Sequence, residues 1–174
     1  SLTTFLALLL FSFVSSVTPG PNNVMLFASG VNFGIWRTVP HMLGISFGFG
    51  VLLAAIGGGL GLALERFPLV FTAIKVLGGL YMVYLAWRIA NSGPVEVKEG
   101  TAQPMRFYQA ALFQWVNPKA WVMATVAMAT YTLEGSYALN VAIVVFAFCV
   151  INLPSVAVWA GFGVAMRRFL DDPA

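Results

Sequence analysis

Thr18-Pro19-Gly20-Pro21-Asn22-Asn23 interrupts the first apolar run of this chain, and Asn117-Pro118-Lys119 interrupts a later one in the corresponding place of the second half. Proline has no amide hydrogen and pushes the residue before it out of the right-handed helical region, so Pro19 and Pro21 end one helix. Asn22 and Asn23 can cap or open the next. Proline is well tolerated in a first helical turn and Asn is a strong N-cap, so Asn117-Pro118 reads the same way. Hydrocarbon offers no partner to the backbone groups that such breaks release, so they belong inside protein or beside a cavity. Paired breaks in two halves point to the central site of a transporter.

Composition sets the class around these breaks. Apolar residues make up 60% of the chain and charged residues 9%, against about 25% charge in a soluble domain, and mean hydropathy is +0.88. The chain therefore reads as an all-α polytopic membrane protein in a single transporter domain over 1–174. Five transmembrane helices are predicted, at about 5–34, 39–64, 69–90, 107–131 and 136–166. The first and fourth contain the breaks, and the NPK break falls ~16 Å into its span, near the bilayer midplane. The last is read as one tilted helix kinked at Asn152-Leu153-Pro154. A polar loop over 91–106 separates a first half (1–90) from a second (107–174), and the two halves read as inverted repeats. The first run lacks a basic flank and continues past any plausible cleavage point, so no cleavable leader is expected.

Charge placement gives an orientation. With alternating spans, Arg37, Arg88, Lys98, Arg106, Arg167 and Arg168 share one side and only Arg66 takes the other. By the positive-inside rule the central loop and C-terminus face the cytoplasm. The net charge of +3 is small and scattered, which argues against nucleic acid as a partner. Cys149 is the single cysteine, so neither an internal disulfide nor a cysteine-based metal site is available.

Each break begins a half-helix whose first amides are unpaired and carry the positive end of a macrodipole, about half a charge. Such an end binds a carboxylate; a plain proline kink filled by a neighbouring helix or water is the alternative. Lys119 follows the second break at the centre of its span, where an unpaired lysine costs about 2.5–3.5 kcal/mol. No carboxylate lies well inside any span, so a substrate carboxylate could be its partner, with backbone carbonyls or loss of its proton as the alternative. Lys75 in the third span is similar but can snorkel. Gln114, one turn before Lys119, could bond a substrate amine or a neighbouring helix.

Three motifs in order resemble the lysine/homoserine/threonine exporter (LysE/RhtB type) family: the TPGPNN break, Lys75-x-x-Gly78-Gly79-x-Tyr81-x-x-Tyr84-Leu85, and Phe113-x-x-x-Asn117-Pro118-Lys119-Ala120. The similarity extends over essentially the whole chain. It implies a small bacterial inner-membrane protein that expels amino acids or related metabolites, driven by the proton gradient. Members usually have about six spans where five are read here, which marks the chain as truncated or a short variant. Many also carry an acidic residue where this chain has Asn22, so the ground for proton coupling at that position is missing.

Other features read mostly as packing. Gly44-Ile45-Ser46-Phe47-Gly48, with His41 nearby, matches a nucleophile elbow and would permit an intramembrane serine hydrolase, but that motif needs a strand, a turn and a helix. Gly44 with Gly48, and Gly57 with Gly61, instead form small-xxx-small pairs that let helices approach, and the Gly-rich second span also offers a surface for a second copy. His41 fits either a pore-edge proton acceptor or an interfacial histidine. Trp36, Trp87 and Tyr131 fit an aromatic belt, and the scattered methionines fit packing. The expected protein is a non-enzymatic amino-acid exporter without cofactor or metal, whose partners are the lipid bilayer and a small-molecule substrate. Its substrate residues are Pro19, Gly20, Pro21, Asn22, Asn23, Gln114, Asn117, Pro118, Lys119 and Lys75. A channel or a non-transporting helical subunit is the competing reading.

Overall fold

The computed structural model describes residues 1–91, 103–132 and 135–171, with some side chains over 61–90 and at 170–171 left undescribed. Among the described residues, all regular secondary structure is helical. Helix α1 (Leu2–Val17) is followed after the TPG break by α2 (Pro21–Ala55), a π-turn (Ile56–Leu60), α3 (Gly61–Arg66) and α4 (Pro68–Ala90). The second half holds α5 (Phe107–Phe113), a 3-10 turn (Gln114–Val116), α6 (Pro118–Tyr131) and α7 (Tyr137–Asp171). Most of the expected 91–106 loop lies outside the described residues.

Helix α2 is two arms. Gly34 has φ 77° and ψ 175°, a left-handed φ that glycine adopts without the Cβ clash other residues meet. The Ser29 and Thr38 hydroxyls hydrogen-bond at 2.7 Å although they lie nine positions apart; in a straight helix they would be about 13.5 Å apart along the axis. The chain therefore folds back at Gly34, and Leu26 of one arm shares a buried cluster with Met42 and Ile45 of the other. This turn falls between the first two predicted spans. The third, fourth and fifth predicted spans find their counterparts in α4, in α5 with α6, and in α7.

The last span, expected as one helix with Pro154 inside it, is a single helix. α7 continues through Pro154 for 35 residues, about 52 Å. The Ser155 hydroxyl donates to the Ile151 carbonyl at 2.7 Å, beside the proline.

Small residues let the helices close on one another. A methyl group added at Gly30 would collide with the Ala160 carbonyl, and one at Gly163 with the Phe27 carbonyl, so the first arm of α2 and α7 meet backbone to backbone. Gly44 and Gly48 bring the second arm onto α5 in the same way. The larger apolar core gathers Leu8, Phe49, Leu52, Leu53, Ala124, Val144 and Phe148.

The distribution of polarity is inverted relative to a soluble protein. Asn23, His41, Gln114, Asn117 and Asn152 are buried, while Phe13, Phe47, Leu62, Phe146, Val158 and Phe162 are exposed. Water would penalise that arrangement and lipid favours it. Among the described residues, two helical stretches, Pro21–Leu60 and Tyr137–Phe169, pass the length and hydropathy needed to cross a bilayer, the first of them folded at Gly34.

Candidate functional site

The two breaks meet. α6 lies along α1 in the opposite sense, since Lys119 reaches Thr18 at one end and the Tyr131 hydroxyl reaches the Ala7 carbonyl at the other. The C-terminus of α1 and the N-terminus of α6 are thereby brought level, and the 3-10 turn before α6 brings Gln114 against α2.

A helix that ends inside a protein leaves four carbonyls without intrahelical donors, and α1 has each of them answered. The Ser15 carbonyl accepts from the Thr18 hydroxyl at 3.0 Å and the Ser16 carbonyl from Asn23 Nδ2 at 2.8 Å. The Val17 carbonyl accepts from Trp159 Nε1 at 2.8 Å. The Thr18 carbonyl accepts from Asn23 Nδ2 at 2.8 Å and from Lys119 Nζ at 2.7 Å. Lys119 Nζ also lies 3.0 Å from Thr18 Oγ1 and 3.4 Å from the Pro19 carbonyl. Of the two partners open to Lys119 in the sequence, backbone carbonyls hold it here, and the positive charge faces the negative end of the α1 macrodipole.

Reciprocal amides lock the other side. Asn22 Nδ2 donates to Gln114 Oε1 at 2.8 Å and Gln114 Nε2 donates to Asn22 Oδ1 at 3.1 Å, across 92 positions of sequence. Gln114 Nε2 also reaches the Ala110 carbonyl at 3.0 Å, so Gln114 makes the interhelical bond. Asn117 caps its own helix, accepting from the Lys119 amide at 3.1 Å, with Pro118 at the first helical position. At the start of α2, Gly20 is the N-cap with no side-chain cap and Pro21 opens the helix.

These groups surround a cavity of about 20 Å3 lined by Ser15, Ser16, Gly20 to Asn23, Gln114, Asn117, Lys119 and Asn152, with Ile45, Phe49, Ala120, Met123 and Val156 as apolar walls. That volume holds roughly one water, far below the ~300–1,000 Å3 of a ligand pocket. The site is closed. None of its lining residues is acidic, and Asn23 Oδ1 is a buried acceptor with no donor.

Seven of the ten expected substrate residues line this cavity. Pro19 contributes its carbonyl to the Lys119 ammonium, and Pro118 opens α6 beside it. Lys75 lies on α4, and its side chain is outside the described part of the structure. Sequence reasoning missed Ser15, Ser16 and Asn152 as cavity residues, although two serines in the last turn of α1 and an asparagine deep in an apolar span were visible signals. Asn152 joins Ser46 and Ser16 in a buried chain, accepting from Ser46 Oγ at 2.8 Å and donating to Ser16 Oγ at 3.1 Å.

The nucleophile-elbow match fails on geometry. Ser46 sits within a helix and spends its hydroxyl hydrogen on Asn152, and neither ring nitrogen of His41 has a hydrogen-bond partner, so no serine–histidine pair exists. Among the described residues no cluster of His, Cys, Asp and Glu could hold a metal ion.

An apolar exterior, a polar interior and two interrupted helices that meet at Lys119 define an integral membrane protein. The chain belongs to the LysE type translocator family, whose model matches residues 13–171, and translocators are not enzymes. It is 30% identical over 131 residues to the cysteine/O-acetylserine efflux protein of Escherichia coli K12, and 29% identical over 131 residues to the same-named protein of Salmonella typhimurium LT2. Each alignment covers 75% of this chain and 66% of the relative, so the matched stretch spans just under two thirds of those proteins. No solved structure matches.

Proposed function

We propose that this protein exports amino acids or closely related small metabolites across the bacterial inner membrane by alternating access around the cavity between the two breaks. The observation that carries the reading is the convergence of Lys119, the uncapped start of α2 and the C-terminus of α1 on one small polar cavity. In the loaded carrier Lys119 leaves the α1 carbonyls for the substrate carboxylate, assisted by the amides that open α2 and α6 near Asn22 and Asn117. Pro19, Gly20, Pro21, Asn23, Gln114 and Pro118 shape the remaining wall, and Lys75 on α4 completes the proposed substrate set. The two halves, read as inverted repeats, rock about this point, with the central loop and C-terminus on the cytoplasmic side and the proton-motive force as driver.

The efflux function in the relatives' name supports the direction and the substrate class. The cavity's volume, about that of one water, favours a carrier over a channel, because a channel needs a continuous wet path. Counterflow in proteoliposomes tests the proposal: internal unlabelled cysteine or O-acetylserine should accelerate uptake of the labelled compound several-fold over empty vesicles. Uptake indifferent to internal substrate would identify a passive pore and overturn the carrier reading.

A further inference from the structure

The lysine that the proposed mechanism directs to a carboxylate is found bound as a cation. Its Nζ sits among three oxygens, the Thr18 carbonyl at 2.7 Å, Thr18 Oγ1 at 3.0 Å and the Pro19 carbonyl at 3.4 Å. A primary ammonium has three N–H donors and no acceptor, so three oxygens on one nitrogen match its valence. The oxygens stand at the negative end of α1. A second feature points the same way. Asn23 Nδ2 is committed to the Ser16 and Thr18 carbonyls, which fixes the orientation of the amide, and Asn23 Oδ1 is left as a buried acceptor without a donor beside the same cavity. Thr18 and Pro19 are exposed, so the cradle can be reached from outside.

We propose that the C-terminal oxygens of α1, together with Asn23 Oδ1, form a subsite for a primary ammonium group, which Lys119 fills in the empty protein and the substrate's own α-ammonium fills in the loaded one. The substrate-class half of this statement rests on the transport reading above; the ammonium subsite does not. In the empty state the tethered lysine closes the site by occupying the amine position. An incoming amino acid offers its carboxylate to Lys119 and its ammonium to the vacated oxygens, an exchange of partners in which neither the lysine nor the oxygens are left bare. No acidic side chain lines the cavity, and on this account none is needed, because dipolar oxygens hold the amine. The substrates are therefore zwitterions with a free primary α-amine. N-acylated or 2-hydroxy analogues of the same shape lack the cation that the subsite requires.

Removing the tethered amine should open the subsite to a free one. The full chain in detergent, as wild type and as Lys119→Ala, is titrated with n-propylammonium, with tetramethylammonium, which has no N–H, and with sodium. Propylammonium at ten times its Kd should raise the melting temperature of Lys119→Ala by about 3 °C, with a much smaller shift in the wild type and none from the other two cations. No shift in the variant, an equal shift in the wild type, or an equal shift with tetramethylammonium or sodium would overturn the subsite. If Lys119→Ala is too unstable to purify, recovery of folded protein with and without propylammonium reads the same point: rescue supports it and its absence counts against it.

A second arm uses the wild type. Vesicles loaded with O-acetylserine should exchange labelled O-acetylserine at least tenfold faster than vesicles loaded with its isomer N-acetylserine. Equal exchange would overturn the amine requirement. Failure of both isomers to exchange, with propylammonium still stabilising Lys119→Ala, would defeat the transport reading and leave the subsite standing.

Discussion

Lys119 places a full positive charge against oxygens that carry only partial negative charge, and that mismatch makes it movable. A carboxylate partner inside the protein would hold the ammonium too firmly to compete with a substrate, since breaking a buried ion pair costs about 3–5 kcal/mol. Charge-assisted hydrogen bonds to carbonyls are worth about 1.5–3 kcal/mol each, and a substrate carboxylate can match them. Lys119→Met should therefore weaken substrate binding by about 10–100-fold, the equivalent of one such bond, as read by substrate-dependent stabilisation of the purified protein. Unchanged affinity would remove Lys119 from the carboxylate role. The Asn22–Gln114 pair behaves differently because both members are neutral and answer each other. Truncating either one strands its partner's amide, at about 1–3 kcal/mol, so Asn22→Ala and Gln114→Ala should each destabilise while the double variant costs clearly less than their sum. A double-mutant cycle on thermal unfolding checks this, with additive losses as the contrary result. At this scale the sequence singled out polar residues that meet around the cavity, but not their partners. Asn22 and Gln114 stood out as polar groups in apolar runs; that they pair across 92 positions depends on how the two breaks register in space, which no local pattern encodes.

Helices in this protein are organised by where their backbones cannot continue and where they can touch. Both breaks were legible because proline removes a donor wherever it stands, and the turn between the first two spans was legible as a boundary, although only the φ of 77° at Gly34 shows how it is made. The last span reads as a single helix from sequence and is one in the structure, running on through Pro154. Close approach was partly foreseen, since Gly44 and Gly48 carry a recognised spacing, but Gly30 against Ala160 and Gly163 against Phe27 follow no spacing within one helix. These contacts make a sharp comparison. Gly30→Ala or Gly163→Ala must push two backbones apart and should destabilise by about 1–3 kcal/mol, whereas Gly161→Ala faces open space and should be neutral or slightly stabilising through helix propensity. Melting temperatures of the three variants in one detergent decide it, and equal behaviour would mean that the α2–α7 contact contributes little.

Across the whole molecule, a cavity of about 20 Å3 between elements that converge from both halves means that a substrate the size of an amino acid cannot enter without separating them. Separation has to cost something, because it withdraws Lys119 from α1 and parts the Asn22–Gln114 amides. It becomes favourable only when a ligand binds the open arrangement better than the closed one, and a ligand without that differential affinity shifts nothing. The two sets of contacts therefore act as one closing device, whose release should be visible at wall residues that touch neither the lysine nor the amides. A cysteine placed at Met123 in a Cys149→Ala background is buried in the closed form. Its reaction with a small membrane-impermeant thiol reagent should be slow in the empty protein and at least tenfold faster at saturating cysteine-free substrate such as O-acetylserine. Lys119→Met should raise the basal rate and flatten the response, because half of the device is already gone. If substrate leaves the labelling rate at Met123→Cys unchanged while still binding, the two halves do not part on loading, and a carrier that alternates about this cavity is the wrong description of the molecule.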